Sequence, residues 1–331
     1  MDARKDHNNT IIAAQKHLLI RVTFSLVSLF MLISCEDFFL KEVDHSKIPG
    51  SEPKLVVYSF ISPQDTLIKV YVYRSRPYIR PAGEVVPVNG HASVWMSREE
   101  SEYSQLSYDE NVGAFTISAQ DFLVEGGHDY HLKVETPHGE SVTATCHVPV
   151  MGDFGLVLHP HRFRLDRYGY QILEVEWEVE TRAGNTERYY RSGSHVFSCI
   201  HSESDGYKDC HKYEVWLDRG KEFFADQDGS THYFRGSYWG YVNLDGATYE
   251  YGSGNMQQTD SVFVFLLETD RHYYNFHLSA ERYSYHDDGF PFAEPVHIYS
   301  NIQGGLGVFG GYNRKDFLLA ATRATPLGQH P

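Results

Sequence analysis

Gln171-Ile172-Leu173-Glu174-Val175-Glu176-Trp177-Glu178-Val179-Glu180 changes character at every step from Leu173 onward. Leu173, Val175, Trp177 and Val179 fall on one side of an extended chain and the glutamates on the other, which is the period of a strand with one buried face. A row of carboxylates invites a catalytic or metal-binding reading, yet the same period sets them on the solvated face. The pattern spreads outward from this stretch. Upstream, Ile68, Val70 and Val72 alternate with Lys69, Tyr71 and Tyr73. Ala92, Val94 and Met96 repeat the pattern, as do Tyr130, Leu132 and Val134, with turn signals at Asn89-Gly90, Gly126-Gly127 and Pro137-His138-Gly139. Downstream, strands are expected at Tyr213 to Leu217, Tyr233 to Asn243, Val262 to Leu267 and Phe317 to Ala321. An aromatic content of 15% suits strands. The helical exception is Asp270 to Tyr285, where Tyr274, Leu278, Glu281 and Tyr285 recur at helical spacing and Asp270 suits the N-terminus. The expected fold is therefore mainly β. An immunoglobulin-like or transthyretin-like sandwich over residues 53–150 precedes a second β-rich domain over 151–331, with one helix near 270–285.

Residues 1–34 read as a signal peptide, with Lys16 and Arg21 ahead of an apolar run from Val22 to Ile33. At about 1.5 Å per residue that run reaches roughly 18 Å, short of a ~30 Å hydrocarbon core. It ends in Leu32-Ile33-Ser34-Cys35, the pattern of bacterial lipoprotein processing, so Cys35 is expected to become a lipidated N-terminus that anchors the chain in the outer membrane. Residues 35–52 then form a tether. Glu36 and Asp37 resemble signals that carry some lipoproteins to the cell surface; an ordinary solvated tether is the alternative. A formal charge of −15 disfavours nucleic acid as a partner.

Chemical motifs are sparse. Cys199 and Cys210 flank a polar loop, and in an oxidising envelope compartment a bridge between them would stabilise by about 2 to 3 kcal/mol. A zinc set of Cys199, His201, Cys210 and His211 fits no standard spacing. Cys146 is in phase with Val142, Ala144 and Val148 and reads as a buried thiol. Gly305-Leu306-Gly307-Val308-Phe309-Gly310 matches a dinucleotide fingerprint in letters, but the chain that follows is too short for the rest of that unit, and a turn or a close backbone approach is expected. Asp226-x-Asp228-Gly229 reads as a turn. The 19 histidines are dispersed, and His277 with Glu281 reads as a surface helix pair. No catalytic residues, metal or cofactor are assigned.

Near the C-terminus, Pro291-Phe292-Ala293-Glu294-Pro295-Val296, Tyr299-Ser300-Asn301-Ile302 and Gly304-Gly305-Leu306-Gly307-Val308-Phe309-Gly310-Gly311-Tyr312 closely resemble the closing signature of the lipoprotein family called domain of unknown function 4249. Gly184-Asn185-Thr186-Glu187-Arg188-Tyr189-Tyr190 and Pro87-Val88-Asn89-Gly90-His91-Ala92-Ser93-Val94 resemble its earlier segments. The resemblance implies an immunoglobulin-like domain followed by a β-rich one, and a TonB-dependent transporter as partner. It supplies no catalytic residues. The expected role is a non-catalytic outer-membrane lipoprotein that binds or presents a ligand to such a transporter. The competing readings are an envelope hydrolase acting on glycans or peptides and a purely structural surface lipoprotein. The ligand or partner surface is expected at Tyr233, Phe234, Tyr238, Trp239 and Tyr241, where Gly236 and Gly240 are expected to interrupt a regular buried strand and turn Tyr238 and Trp239 outward; the alternative is that these rings pack the core or cover a sheet edge.

Overall fold

The computed structural model of the chain describes residue 21 and residues 53–75, 88, 91–100, 102–202, 206–244, 248–251, 254–286 and 297–322. The expected signal peptide (apart from Arg21), the lipid site Cys35, the tether, the Asn89-Gly90 turn and the Pro291 to Val296 motif lie outside these residues.

The alternating segments of the first half form β1 (Leu55–Ile61), β2 (Leu67–Arg74), β3 (Ser93–Arg98), β4 (Tyr103–Asp109), β5 (Ala114–Ser118), β6 (His128–Glu135) and β7 (Ser141–Val148). Strands β1, β2, β6 and β7 bury alternate residues; in β7, Val142, Ala144, Cys146 and Val148 are inside and Ser141, Thr143, Thr145 and His147 outside. The strands pair in the order β1-β2-β5-β4-β3-β6-β7 around a core that includes Val57, Ile68, Val70, Met96, Leu132 and Val134. Thr143 of β7 and Gln303 exchange N–H···O bonds of 3.2 and 2.8 Å. Asn301 Nδ2 donates to Thr145 O at 3.0 Å. The far edge of the meander is thereby tied to the chain that leads into the last strand.

The second half contributes β8 (Gly155–Leu158), β9 (Arg162–Leu165), β10 (Gln171–Glu180), β11 (Arg188–Ser202), β12 (Lys208–Glu214), β13 (Trp216–Arg219), β14 (Phe223–Asp226), β15 (Thr231–Trp239), β16 (Thr248–Tyr251), β17 (Gly254–Thr269), the helix α1 (Arg271–His286) and β18 (Leu306–Ala321). Strands β12-β11-β17-β18 continue into β1, so one large sheet runs through both halves. A smaller sheet, β13-β15-β10-β8 with β9 also on β10, packs against it. Between them lies a second core of Leu173, Val175, Trp177, Phe234, Val262, Val264 and Leu266. The fold is mainly β and sandwich-like, with α1 as the helix among the described residues, as the alternation predicts.

Two expected strands are redrawn. Tyr213 to Leu217 is the end of one strand and the start of another: Val215, whose N–H donates to Ser194 O at 3.0 Å, carries the chain from the large sheet to the small one. The expected strand from Tyr233 to Asn243 stops at Trp239. Of the glycine run 305–310, Gly305 closes a turn begun at Gly304 and the rest opens β18, where close backbone approach is its reason. In the parallel pairing of β18 with β1, Gly307 lies opposite Val57, and a Cβ there would sit 2.0 Å from Val57 O.

Helix α1 begins where expected. Asp270 Oδ1 accepts the Tyr273 N–H at 2.7 Å, and Oδ2 accepts the His147 N–H at 3.2 Å, so one carboxyl caps the helix and pins it to β7. The His277 and Glu281 expectation is corrected. The His277 ring stacks on Phe60 and Phe223 at 4.9 and 5.5 Å, and its Nε2 is buried without a hydrogen-bond partner, because the large sheet supplies an aromatic cluster under that face of the helix. Burial, then the nearby Arg191, pushes its pKa down to about 4 from 6.5. Burial, then Lys212 and Arg314, does the same to His195, also to about 4.

Both imidazoles are neutral in the folded chain at a pH where the unfolded chain takes up protons. Stability is therefore expected to fall as the pH drops from 6.5 toward 4. Asp270 opposes this more weakly: burial raises it from 3.8 to about 6, so over that interval the folded state holds the extra proton. Thermal denaturation across this range checks the balance. His277→Phe, which removes one of the two titrations, is expected to flatten the profile, and an unchanged slope would contradict this account.

Candidate functional site

The outer face of the small sheet is built by register. Across β9, β10, β15 and β13, one row consists of Arg162, Glu174, Ser237 and Trp216; the next consists of Arg164, Ile172 and Trp239. Trp216 and Trp239 are thus diagonal neighbours on adjacent strands, a placement of about 7 to 8 Å that large rings bridge. Both are bare, Trp216 at 78% exposure and Trp239 at 61%. Around them the polar groups answer one another. Glu174 Oε1 accepts from Arg164 Nε at 2.5 Å and from Arg235 Nη2 at 2.9 Å. Arg235 also reaches Glu176 at 3.8 Å, and Ser237 Oγ donates to Asp218. The Arg164 guanidinium lies 5.9 Å from the Trp239 ring centre.

The wet row of glutamates is corrected at its first member. Glu174 is buried beneath Arg164 and Arg235, which arrive from β9 and β15; against the upward push of burial, the two guanidiniums hold its carboxyl below the usual range. Exposure then rises along the row to Glu180, where the covering strands end.

The expected surface residues divide between the two faces of β15. Trp239 lies on the outer face, and so does Tyr233, under the Arg219 guanidinium at 5.0 Å. Tyr241, just past the strand, is 48% exposed. Phe234 is withdrawn from the surface: it is 1% exposed and stacks on Trp177 at 5.2 Å, because β15 stays regular through Gly236 and alternation turns Phe234 inward. Tyr238 shares that inner phase and is half-buried, its ring lying where a Cβ on Gly240 would come within 2.7 Å. Gly236 marks a close approach to Val215, not a turn. Trp216 is absent from the expected set. Its signal was the alternation of Val215 and Leu217 with Glu214, Trp216 and Asp218, which puts an indole on a polar face.

A cleft of about 480 Å3 adjoins the two tryptophans, its walls including Tyr213, Glu214, Leu217, Tyr238, Lys212 and Arg191. That size suits a small ligand. A larger cleft of about 690 Å3 lies at the start of α1, lined by His147, Asp129, Arg188, Glu268 and Asp270 among others. Its polar groups are spent on one another. His147 Nδ1 meets Asp129 at 2.7 Å, Arg188 pairs with Glu268 at 2.7 and 2.6 Å, and Asp270 caps the helix.

The remaining motifs are structural. Cys199 and Cys210 face each other across β11 and β12 with their sulfurs bonded at 2.08 Å. His201 turns to Gln257 and His211 to Asp209. Cys146 is a free buried thiol whose pKa burial raises. Asp226 forms a turn, accepting the Asp228 and Gly229 N–H groups at 2.9 and 3.1 Å. Among the described residues no group of three or more His, Cys, Asp or Glu is placed to hold a metal.

These features define a two-sheet β protein whose most accessible special surface is an aromatic one. The chain belongs to the family described as Domain of unknown function (DUF4249), whose model matches residues 41–317. No curated protein matches the sequence. Among solved structures, the C-terminal globular domain of an oligosaccharyltransferase from Pyrococcus abyssi aligns with 82% of this chain at 8% identity and a TM-score of 0.16. The alignment takes in 50% of that domain's length, and a likeness so slight carries no argument.

Proposed function

We propose that this chain is a non-catalytic lipoprotein of the outer membrane that captures a ligand on the outer face of its small sheet and presents it to a TonB-dependent transporter. The observation that carries the reading is the pair Trp216 and Trp239, 78% and 61% exposed on a sheet whose hydrogen-bond ladder fixes their position. Rigid indoles lose little entropy on binding and bring large apolar area, so their exposure suits recognition. The Leu32 to Cys35 pattern supports the anchor, and the resemblance of the closing signature supports the transporter. The hydrolase reading has less behind it, since the carboxyls of the larger cleft are committed to capping and ion pairing.

Affinity purification of the tagged full chain from detergent-solubilised envelopes tests the proposal. The expected result is a chain that takes up a palmitate analogue at Cys35 and brings down a β-barrel transporter. A soluble, unlabelled chain recovered alone would overturn it.

A further inference from the structure

We infer that the ligand held by Trp216 and Trp239 is an uncharged oligosaccharide. This inference rests on the capture reading and names the class of ligand. The first consideration is shape. The indoles lie on an open sheet face, diagonal to one another, where a flat ligand can span both rings; an apolar ligand would gain more from an enclosed pocket than from this surface. A pyranose has a C–H face that lies on an indole and a rim of hydroxyls directed sideways.

The second consideration is what that rim would meet. Arg164, Glu174, Arg235 and Glu176 form a chain of alternating charge across the face, with contacts of 2.5, 2.9 and 3.8 Å. Arg164 and Arg235 each already have a carboxylate, so an anion lying over these two would be desolvated with no free counter-charge; Arg162, on the exposed strand β9, has no such partner among the described residues. Hydroxyls both donate and accept, so they match a surface that offers guanidinium N–H groups and carboxylate oxygens side by side. The indole N–H groups of Trp216 and Trp239 bond to nothing among the described residues and add donors beside the rings. In the flanking cleft Arg191 is likewise joined to a carboxylate, that of Glu222, at 2.6 Å.

The test uses the full chain in detergent and, as probes, cellohexaose, maltoheptaose, mannohexaose, xylohexaose and chitohexaose. An oligogalacturonate and an unrelated acidic peptide serve as charged probes. Calorimetry is run on the wild type and on Trp216→Ala and Trp239→Ala, with circular dichroism showing that the variants fold. The expected result is that at least one neutral sugar binds, that each alanine variant weakens it by about tenfold, and that affinity changes less than about twofold between ~0.1 and ~0.5 M salt. Failure of every neutral sugar to bind overturns the inference, as does binding that both variants retain. If only a charged probe binds, with affinity lost in salt and lost on replacing the tryptophans, the sugar class is wrong while capture at this face stands. If transporter association and all binding ignore both tryptophans, the capture reading falls as well.

Discussion

Gly307→Ala is expected to take away a large part of the chain's folding stability. Gly307 sits at φ +109° within β18, and a Cβ there would lie 2.0 Å from Val57 O and 2.9 Å from Val57 N. Those atoms belong to the parallel pairing of β18 with β1, the seam through which one sheet runs from the first half of the chain into the second. Neither side can yield: Val57 is fully buried and Val308 and Phe309, next in β18, are also fully buried. A backbone collision at a positive φ therefore costs about 4 kcal/mol or more, a large part of a stability margin of about 5–15 kcal/mol. Gly113→Ala is the control. It also has a positive φ, +68°, but nothing lies within 4 Å of its Cβ position, and about 1 kcal/mol is expected. Soluble yield and thermal midpoints of the two variants check the contrast, and equal losses would show that steric approach at β1 is not what Gly307 provides.

The next largest effect is expected from Trp177→Ala. Trp177 is the large residue in the middle of the strand whose alternation first revealed the fold, and it is fully buried. Its ring stacks on Phe234 at 5.2 Å and 8°, and its Nε1–H donates to Ser192 Oγ at 3.0 Å. Ser192 Oγ in turn donates to Phe265 O at 2.9 Å, joining the small sheet to the large one through a buried polar link. Truncation removes the ring, opens a cavity between the sheets and strips Ser192 of a donor, for about 3 to 5 kcal/mol. Trp177→Phe keeps most of the volume and loses the donor, so a smaller loss is expected. Denaturant midpoints measure both; an alanine variant as stable as wild type would mean that the two sheets are not held by this core.

Local periodicity made individual elements legible and left their partners hidden. Period two located β10 from Gln171 to Glu180, because apolar and polar residues keep strict phase from Leu173 to Glu180. Asp270 was legible as a helix start because a carboxyl satisfies N–H groups that every helix leaves open. The pairing of β18 with β1 was not legible: it joins residues some 250 positions apart through glycines whose only signal is an absence of side chain. The same limit applied to the site. Phe234 and Trp239 lie five residues apart in one aromatic run, and only the register of β15 against β10 says that one faces Trp177 and the other solvent. Glu174 read as wet because its own strand says so, whereas the arginines that cover it come from β9 and β15.

On the proposed function, Trp216 and Trp239 are exposed for binding and not for structure. The most direct measurement is the double variant Trp216→Ala and Trp239→Ala, made in the full chain and followed both by thermal denaturation and by transporter co-purification with ligand uptake in cells. At 78% and 61% exposure the two rings contribute little to the core, so the melting point is expected to stay within a few degrees of wild type. Association or uptake is expected to fall at least about tenfold. A variant that unfolds, or one that folds and takes up ligand as well as wild type, would contradict the claim.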